Sequence, residues 1–91
     1  MKVREGILLK NVCDAWLLIA VGEAGKYCRY VREVNDTFAW YFSGIQKGKE
    51  KEEIIKDTLE RFDVSEELAR KDLDKLIEEL YSMNYLLREE E

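Results

Sequence analysis

The spacing of apolar positions changes period once along this chain, near Asn35. Ahead of that point the pattern is strand-like. Ile7-Leu8-Leu9-Lys10-Asn11-Val12 is a short apolar stretch closed by Cys13-Asp14, where Asp supplies the chemistry of a tight turn. The apolar run at residues 15–21 follows at once and reads as a central strand covered on both faces. Gly22-Glu23-Ala24-Gly25-Lys26 breaks that run with two glycines. Over residues 27–34, β-branched and aromatic residues are interleaved with Arg29, Arg32 and Glu33, a mixture suited to an edge strand whose charges discourage unwanted pairing. Short links between these strands predict an antiparallel three-stranded meander.

Beyond Asn35 the period is helical. Asn35 is a good N-cap, and Asp36 lies in the first turn, where the helix dipole favours negative charge. Phe38, Tyr41, Phe42 and Ile45 recur at i, i+3, i+4 and i+7, the apolar stripe of a short helix that Gly44 and Gly48 punctuate. The mixed-charge residues 47–53 read as a solvated loop leading into a second helix over about residues 50–62, with Ile55, Leu59 and Phe62 on its stripe and Ile54 beside them. Asp63-Val64-Ser65-Glu66 holds a break and a new N-terminus, in which either Ser65 caps or Asp63 forms a capping box with Glu66. A third and longest helix runs to about Met83 with a core stripe of Ala69, Leu73, Leu76 and Leu80, continued by either Met83 or Asn84. A second line, Arg70, Asp74, Ile77 and Tyr81, follows one flank of that stripe, and its two apolar members exceed what a single buried stripe requires. Tyr85-Leu86-Leu87 packs as a terminal extension, and residues 88–91 form a solvated tail. The fold class is α+β.

Composition narrows the function classes. Ninety-one residues suit one domain, with a core over about residues 6–87. A chain 46% hydrophobic, with two Trp, five Tyr and three Phe, is not intrinsically disordered. The net charge of −5 opposes approach to phosphate polyanions, so nucleic acid is not expected as the partner. Histidine is absent, which removes the commonest general base and metal ligand. Cys13 and Cys28 fit no metal motif, and there is neither a phosphate loop nor a serine or cysteine placed with a base. We therefore expect no enzyme activity, no cofactor and no metal. The charged opening at residues 1–5 is unlike a signal peptide, and residues 15–21 are too few to span a membrane, so a cytoplasmic chain with reduced thiols and no membrane partner is expected.

Trp16-Leu17-Leu18-Ile19-Ala20-Val21-Gly22-Glu23, then Val34-Asn35-Asp36-Thr37, then Asp63-Val64 and Asp72-Leu73 ahead of a Leu-rich helix, resemble in their order the PqqD-like family. These are small proteins or domains named after the D component of pyrroloquinoline quinone biosynthesis, also called peptide recognition elements. The resemblance covers about residues 6–87, and its specificity lies in the order of loose motifs. The chain departs from the pattern at Asp14, where a Gly is common, at Ala20, where a Pro is common, and at Arg32, where an apolar residue is usual. The resemblance implies a winged-helix-like domain, a three-stranded antiparallel sheet followed by three helices. It implies binding of the leader segment of a ribosomally made precursor peptide, which adds as a strand to the third strand beside the third helix. It also implies that the domain carries no chemistry and presents the leader to a modifying enzyme, often a radical S-adenosylmethionine maturase.

An edge strand supports that reading physically, because a peptide pairing with it gains main-chain hydrogen bonds while alternate side chains enter pockets. Alternation puts Tyr30, Arg32 and Val34 on one face of the third strand and Arg29, Val31 and Glu33 on the other. Ile77 and Tyr81 would give the apolar wall of the groove, with Arg70 and Asp74 supplying polar selectivity. Each assignment has a plainer rival. Ile77 and Tyr81 also suit simple packing under a wide helix stripe, and Arg29 and Arg32 also suit edge protection. Both cysteines suit incidental thiols, and Trp40, off the first helix stripe, would mark an exposed partner contact. A winged helix can bind DNA, but Arg70, Lys71 and Lys75 are outnumbered on the third helix by Glu66, Glu67, Asp72, Asp74, Glu78 and Glu79. A homodimer formed by pairing of the exposed edge is the remaining alternative.

Overall fold

The structure, a computed structural model, describes residues 1–87; the tail expected at residues 88–91 lies outside them. The strands are β1 (Lys2–Val3), β2 (Ile7–Val12), β3 (Ala15–Ala20), β4 (Val31–Val34) and β5 (Leu86–Leu87). The helices are α1 (Asp36–Gln46), α2 (Lys51–Arg61) and α3 (Glu66–Ser82), and a 3₁₀ turn occupies Gly22–Lys26. Strands β2, β3 and β4 form the antiparallel meander, in that spatial order, and three helices follow it, as the sequence predicts. The architecture is α+β and winged-helix-like.

The hairpin between β2 and β3 pairs Val12 with Ala15, so its loop is Cys13 and Asp14 alone. Both have positive φ, 51° and 66°, which is the backbone a two-residue loop needs to match the right-handed twist of its strands. One face of the sheet packs on the helices: Ile7, Leu18 and Ala20 are buried with Phe42, Ile45, Ile54, Leu73 and Leu80 in one core. Among the described residues no helix covers the opposite face. Leu17 and Ile19 of β3 are half-exposed there, so the central strand is covered on one face and not on both.

The helices begin where capping chemistry dictates. Asn35 Oδ1 accepts from the Phe38 amide at 2.8 Å, and Ser65 Oγ accepts from the Leu68 amide at 3.1 Å, so Ser65 and not Asp63 caps α3. Trp40 is no exposed contact: its Nε1 donates to Thr58 Oγ1 at 2.9 Å, and its ring meets Phe62 edge-on at 5.1 Å, locking α1 to α2.

Two features go beyond the periodicity. Lys2–Val3 and Leu86–Leu87 pair into a small second sheet that ties the first residues to the chain beyond α3. The third meander strand is also shorter than expected. Gly22, at φ 61°, turns the chain into the 3₁₀ segment, and the amides of Tyr27 and Cys28 bond back to the Ala24 carbonyl. Residues 27–30 thereby descend onto the end of α3, where the Cys28 thiol donates to the Asn84 carbonyl at 3.4 Å, and pairing is regular only from Val31.

Candidate functional site: the open edge of β4 and the groove beside it

Strand β4 pairs with β3 on one side, and among the described residues nothing pairs with its other side. The Ala20 amide donates to the Tyr30 carbonyl at 2.9 Å. Bonded and non-bonded pairs alternate in an antiparallel ladder, so with this register Arg32 and Val34 bond back to β3. The amides and carbonyls of Val31 and Glu33 therefore face the open edge. They form a short row of donors and acceptors for an added strand.

Side chains alternate across the same strand. Arg32 and Val34 point towards the helices and are half-buried, whereas Val31 and Glu33 are exposed on the outer face. Arg32 Nε is buried without a hydrogen-bond partner. Burial pushes the nearby Cys28 thiol above its ordinary pKa, an effect that the Arg4 and Arg32 guanidinium charges partly offset. Arg29 and Tyr30 precede the strand. Tyr30 does not continue the Arg32 and Val34 face into the interior; it is exposed, and its ring lies over Gly25, where an added Cβ would come within 2.4 Å of it.

A groove of about 310 Å³ opens where the chain leaves β4 and enters α1. Asn35, Thr37, Phe38 and Tyr41 form one bank, and Asp72, Lys75, Leu76 and Glu79 of α3 form the other. A smaller apolar pocket of about 190 Å³ adjoins it through Thr37, Tyr41 and Asp72, and is floored by Trp40, Phe62, Val64 and Ala69. Burial raises the Tyr41 pKa, the Asp72 carboxylate adds to that shift, and a hydrogen bond with Thr58 opposes it. The Tyr41 hydroxyl is therefore neutral at physiological pH. Among the described residues no cluster of His, Cys, Asp and Glu could hold a metal ion, and no helix is long and apolar enough to cross a membrane.

Two members of the α3 line expected beside β4, Arg70 and Asp74, are engaged with α2. Arg70 makes a two-bonded ion pair with Glu52 of α2, at 2.6 and 2.5 Å, and its Nε donates to Glu66 at 2.9 Å. Asp74 pairs with Lys51. Arg70 and Asp74 thus close the seam between α2 and α3 and do not border the sheet edge. Ile77 and Tyr81 continue that line, half-buried against the core. At about 100° per residue, Ile77 lies roughly 160° around α3 from Glu79, so the two belong to opposite flanks. The flank of α3 that lines this groove is Asp72, Lys75, Leu76 and Glu79, which the sequence analysis did not single out. Periodicity finds both flanks of a core stripe equally well, and only the packing of α3 against α1 and α2 distinguishes them.

A short helical bundle under one face of a meander, with a free strand edge opening onto a groove, defines a winged-helix-like interaction domain. The chain belongs to the PqqD family: the family described as coenzyme PQQ synthesis protein D matches residues 23–86. Its fold is also similar to that of the solved structure described as TbiB1 in complex with the TbiA(beta) leader peptide. The TM-score is 0.76 at 17% sequence identity, over 94% of each chain. No curated protein matches the sequence.

Proposed function

We infer that this protein binds the leader segment of a ribosomally synthesised precursor peptide and presents it, without catalysing any step itself, to a modifying enzyme such as a radical S-adenosylmethionine maturase. The leader adds as a fourth strand along β4, bonding to the outward amides and carbonyls of Val31 and Glu33. Residues 29–34 make the strand contact, and leader side chains beyond Val34 settle between Phe38, Tyr41 and Leu76. The observation that carries this reading is the β4 edge, unpaired among the described residues, with the α1–α3 groove beginning at Asn35, the residue that follows the strand. Membership of the PqqD family supports it, as does the likeness to a fold whose neighbour is described with a leader peptide. A disordered leader loses entropy on docking, so affinity near micromolar, about −8 kcal/mol, is expected. The net charge of −5 speaks against a nucleic-acid partner, and we place the work of the domain in the cytoplasm.

The test is titration of isotopically labelled protein with the candidate leader encoded beside its gene, following backbone amides. Shifts concentrated at residues 29–34 and along Asp72, Lys75, Leu76 and Glu79 support strand addition at this groove. Shifts confined to Arg70, Asp74 and the α2 seam would reject it.

A further inference from the structure

Strand β3 carries an apolar sequence suited to cover on both faces, yet among the described residues no element packs over its outer face, where Leu17 and Ile19 remain partly exposed. The register aligns the outward residues into rows across the sheet. Leu8, Ile19 and Val31 form one row, and Lys10, Leu17 and Glu33 form the next. Leu8 is 40% exposed and Val31 55%, with Val12 at 49% extending the patch along β2. A continuous aliphatic surface on a three-stranded sheet marks an interaction face. Its only charges in these rows are Lys10 and Glu33, one on each edge strand, and neither has an ion-pair partner among the described residues.

This pattern is self-complementary. A two-fold axis lying between two stacked sheets and running parallel to β3 exchanges the positions of β2 and β4. Under that operation Lys10 of each copy faces Glu33 of the other, Leu8 faces Val31, and Leu17 and Ile19 each meet their own counterparts on the axis. Stacked sheets pack about 10 Å apart with strands within about 30° of one another. Edge strands lie only about 4.8 Å from the axis, so that angle shifts their residues by roughly 2–3 Å, within reach of Lys and Glu side chains. We propose that the protein forms a symmetric homodimer through the outer faces of its β2-β3-β4 sheets, held by the aliphatic rows and registered by two reciprocal Lys10–Glu33 pairs. The occupant of that outer face is a second copy of this chain. This interface differs from edge-to-edge pairing, because it leaves the β4 edge and its groove open on both copies.

Sedimentation equilibrium from low-micromolar to millimolar protein at physiological salt tests it. The parent mass is expected to rise towards twice that of one chain. Lys10→Glu, an exposed change on β2, places like charges opposite each other and weakens association at least ~tenfold with the monomer fold retained by circular dichroism. Adding Glu33→Lys to that variant restores the complementarity and returns association to within about threefold of the parent. A parent that stays monomeric at millimolar concentration overturns the proposal. So does a dimer indifferent to Lys10→Glu, which would be using another surface, or a charge-exchanged double variant that does not regain association.

Discussion

Arg70 of α3 holds Glu52 of α2 through two parallel hydrogen bonds while its Nε engages Glu66 one turn back on its own helix. The arrangement is local and solvent-facing, so its contribution is to the seam between the helices. The hydrogen bond and charge of Arg70 hold the Glu52 carboxyl below its ordinary pKa. A group whose folded pKa is depressed stabilises the fold above its unfolded value and loses that contribution as pH falls through the folded one. Arg70→Ala is therefore expected to lower the melting temperature slightly at neutral pH. The difference from the parent should shrink as acid protonates Glu52. Melting curves from pH 7 down to pH 3 check this, and leader affinity should stay within about twofold, because the pair stands off the groove.

The alternation along β4 separates two proline substitutions only one residue apart. Val31→Pro removes an amide that faces the open edge and costs no ladder bond, so the protein should fold with little loss and bind leader peptide at least ~tenfold more weakly. Arg32→Pro removes an amide bonded to β3 and should cost about 3 kcal/mol of stability. Denaturant titration alongside calorimetric binding distinguishes the two. Equal effects of both on stability would mean that the outward row is misassigned.

The sequence was most legible where one periodicity decided the matter. Phe42 and Ile45 of α1, and Ala69, Leu73, Leu76 and Leu80 of α3, are buried as their spacing requires. The cap Asn35 stood out because a side-chain oxygen before a helical run has few other uses, whereas the choice between Ser65 and Asp63 at α3 is made only by the Leu68 amide, which donates to Ser65 Oγ. What escaped depends on long-range geometry. Lys2–Val3 and Leu86–Leu87 are too short to show a period, and they become strands only by meeting across the whole chain. The groove beyond β4 takes its α3 bank from Asp72, Lys75, Leu76 and Glu79, a flank with less apolar surface than the one carrying Ile77 and Tyr81 and so less conspicuous in the sequence. Apolar surface reports burial, and it does not report which neighbour does the burying.

Gly6 adopts φ +89°, and a Cβ placed there would sit 2.5 Å from the Val21 carbonyl oxygen. That oxygen is backbone, and the Val21 amide is itself bonded to the Gly6 carbonyl at 2.8 Å, so neither side can yield without opening the end of the hairpin. Gly6→Ala is expected to cost about 2 kcal/mol or more. Gly48, at φ +82° with open space around it, should cost only the conformational part, about 1–2 kcal/mol, on the same change. Chemical denaturation of the two variants gives the comparison directly.

Burial of Cys28 and Tyr41 makes stability fall on the alkaline side. Burial raises the pKa of both, with Arg4 and Arg32 opposing it at the thiol and Asp72 adding to it at the phenol. For an acid whose folded pKa is raised, the unfolded chain releases its proton first. The stabilisation is complete below the ordinary value and is lost as pH climbs from there through the folded value. Melting temperature should therefore fall from about pH 9 upward, and Cys28→Ala should flatten the earlier part of that fall. At pH 8 the exposed Cys13 should be alkylated about a hundredfold or more faster than native Cys28, which peptide mapping by mass spectrometry would read.

Arg32 occupies an inward position of β4, opposite the fully buried Leu18, and its Nε is shut off from both solvent and partners. An unsatisfied buried donor costs about 1–3 kcal/mol, whereas an apolar side chain of similar length carries no such donor. Arg32→Met should consequently leave stability unchanged or raise it by about 1 kcal/mol. If the guanidinium meets an acidic side chain of the leader where β4 opens onto the groove, the same substitution weakens peptide binding by roughly tenfold while the fold gains. Stability and affinity moving in opposite directions on one substitution is the outcome that assigns Arg32 to recognition. A variant that is both less stable and equally able to bind would show Arg32 to be a packing residue of the edge strand.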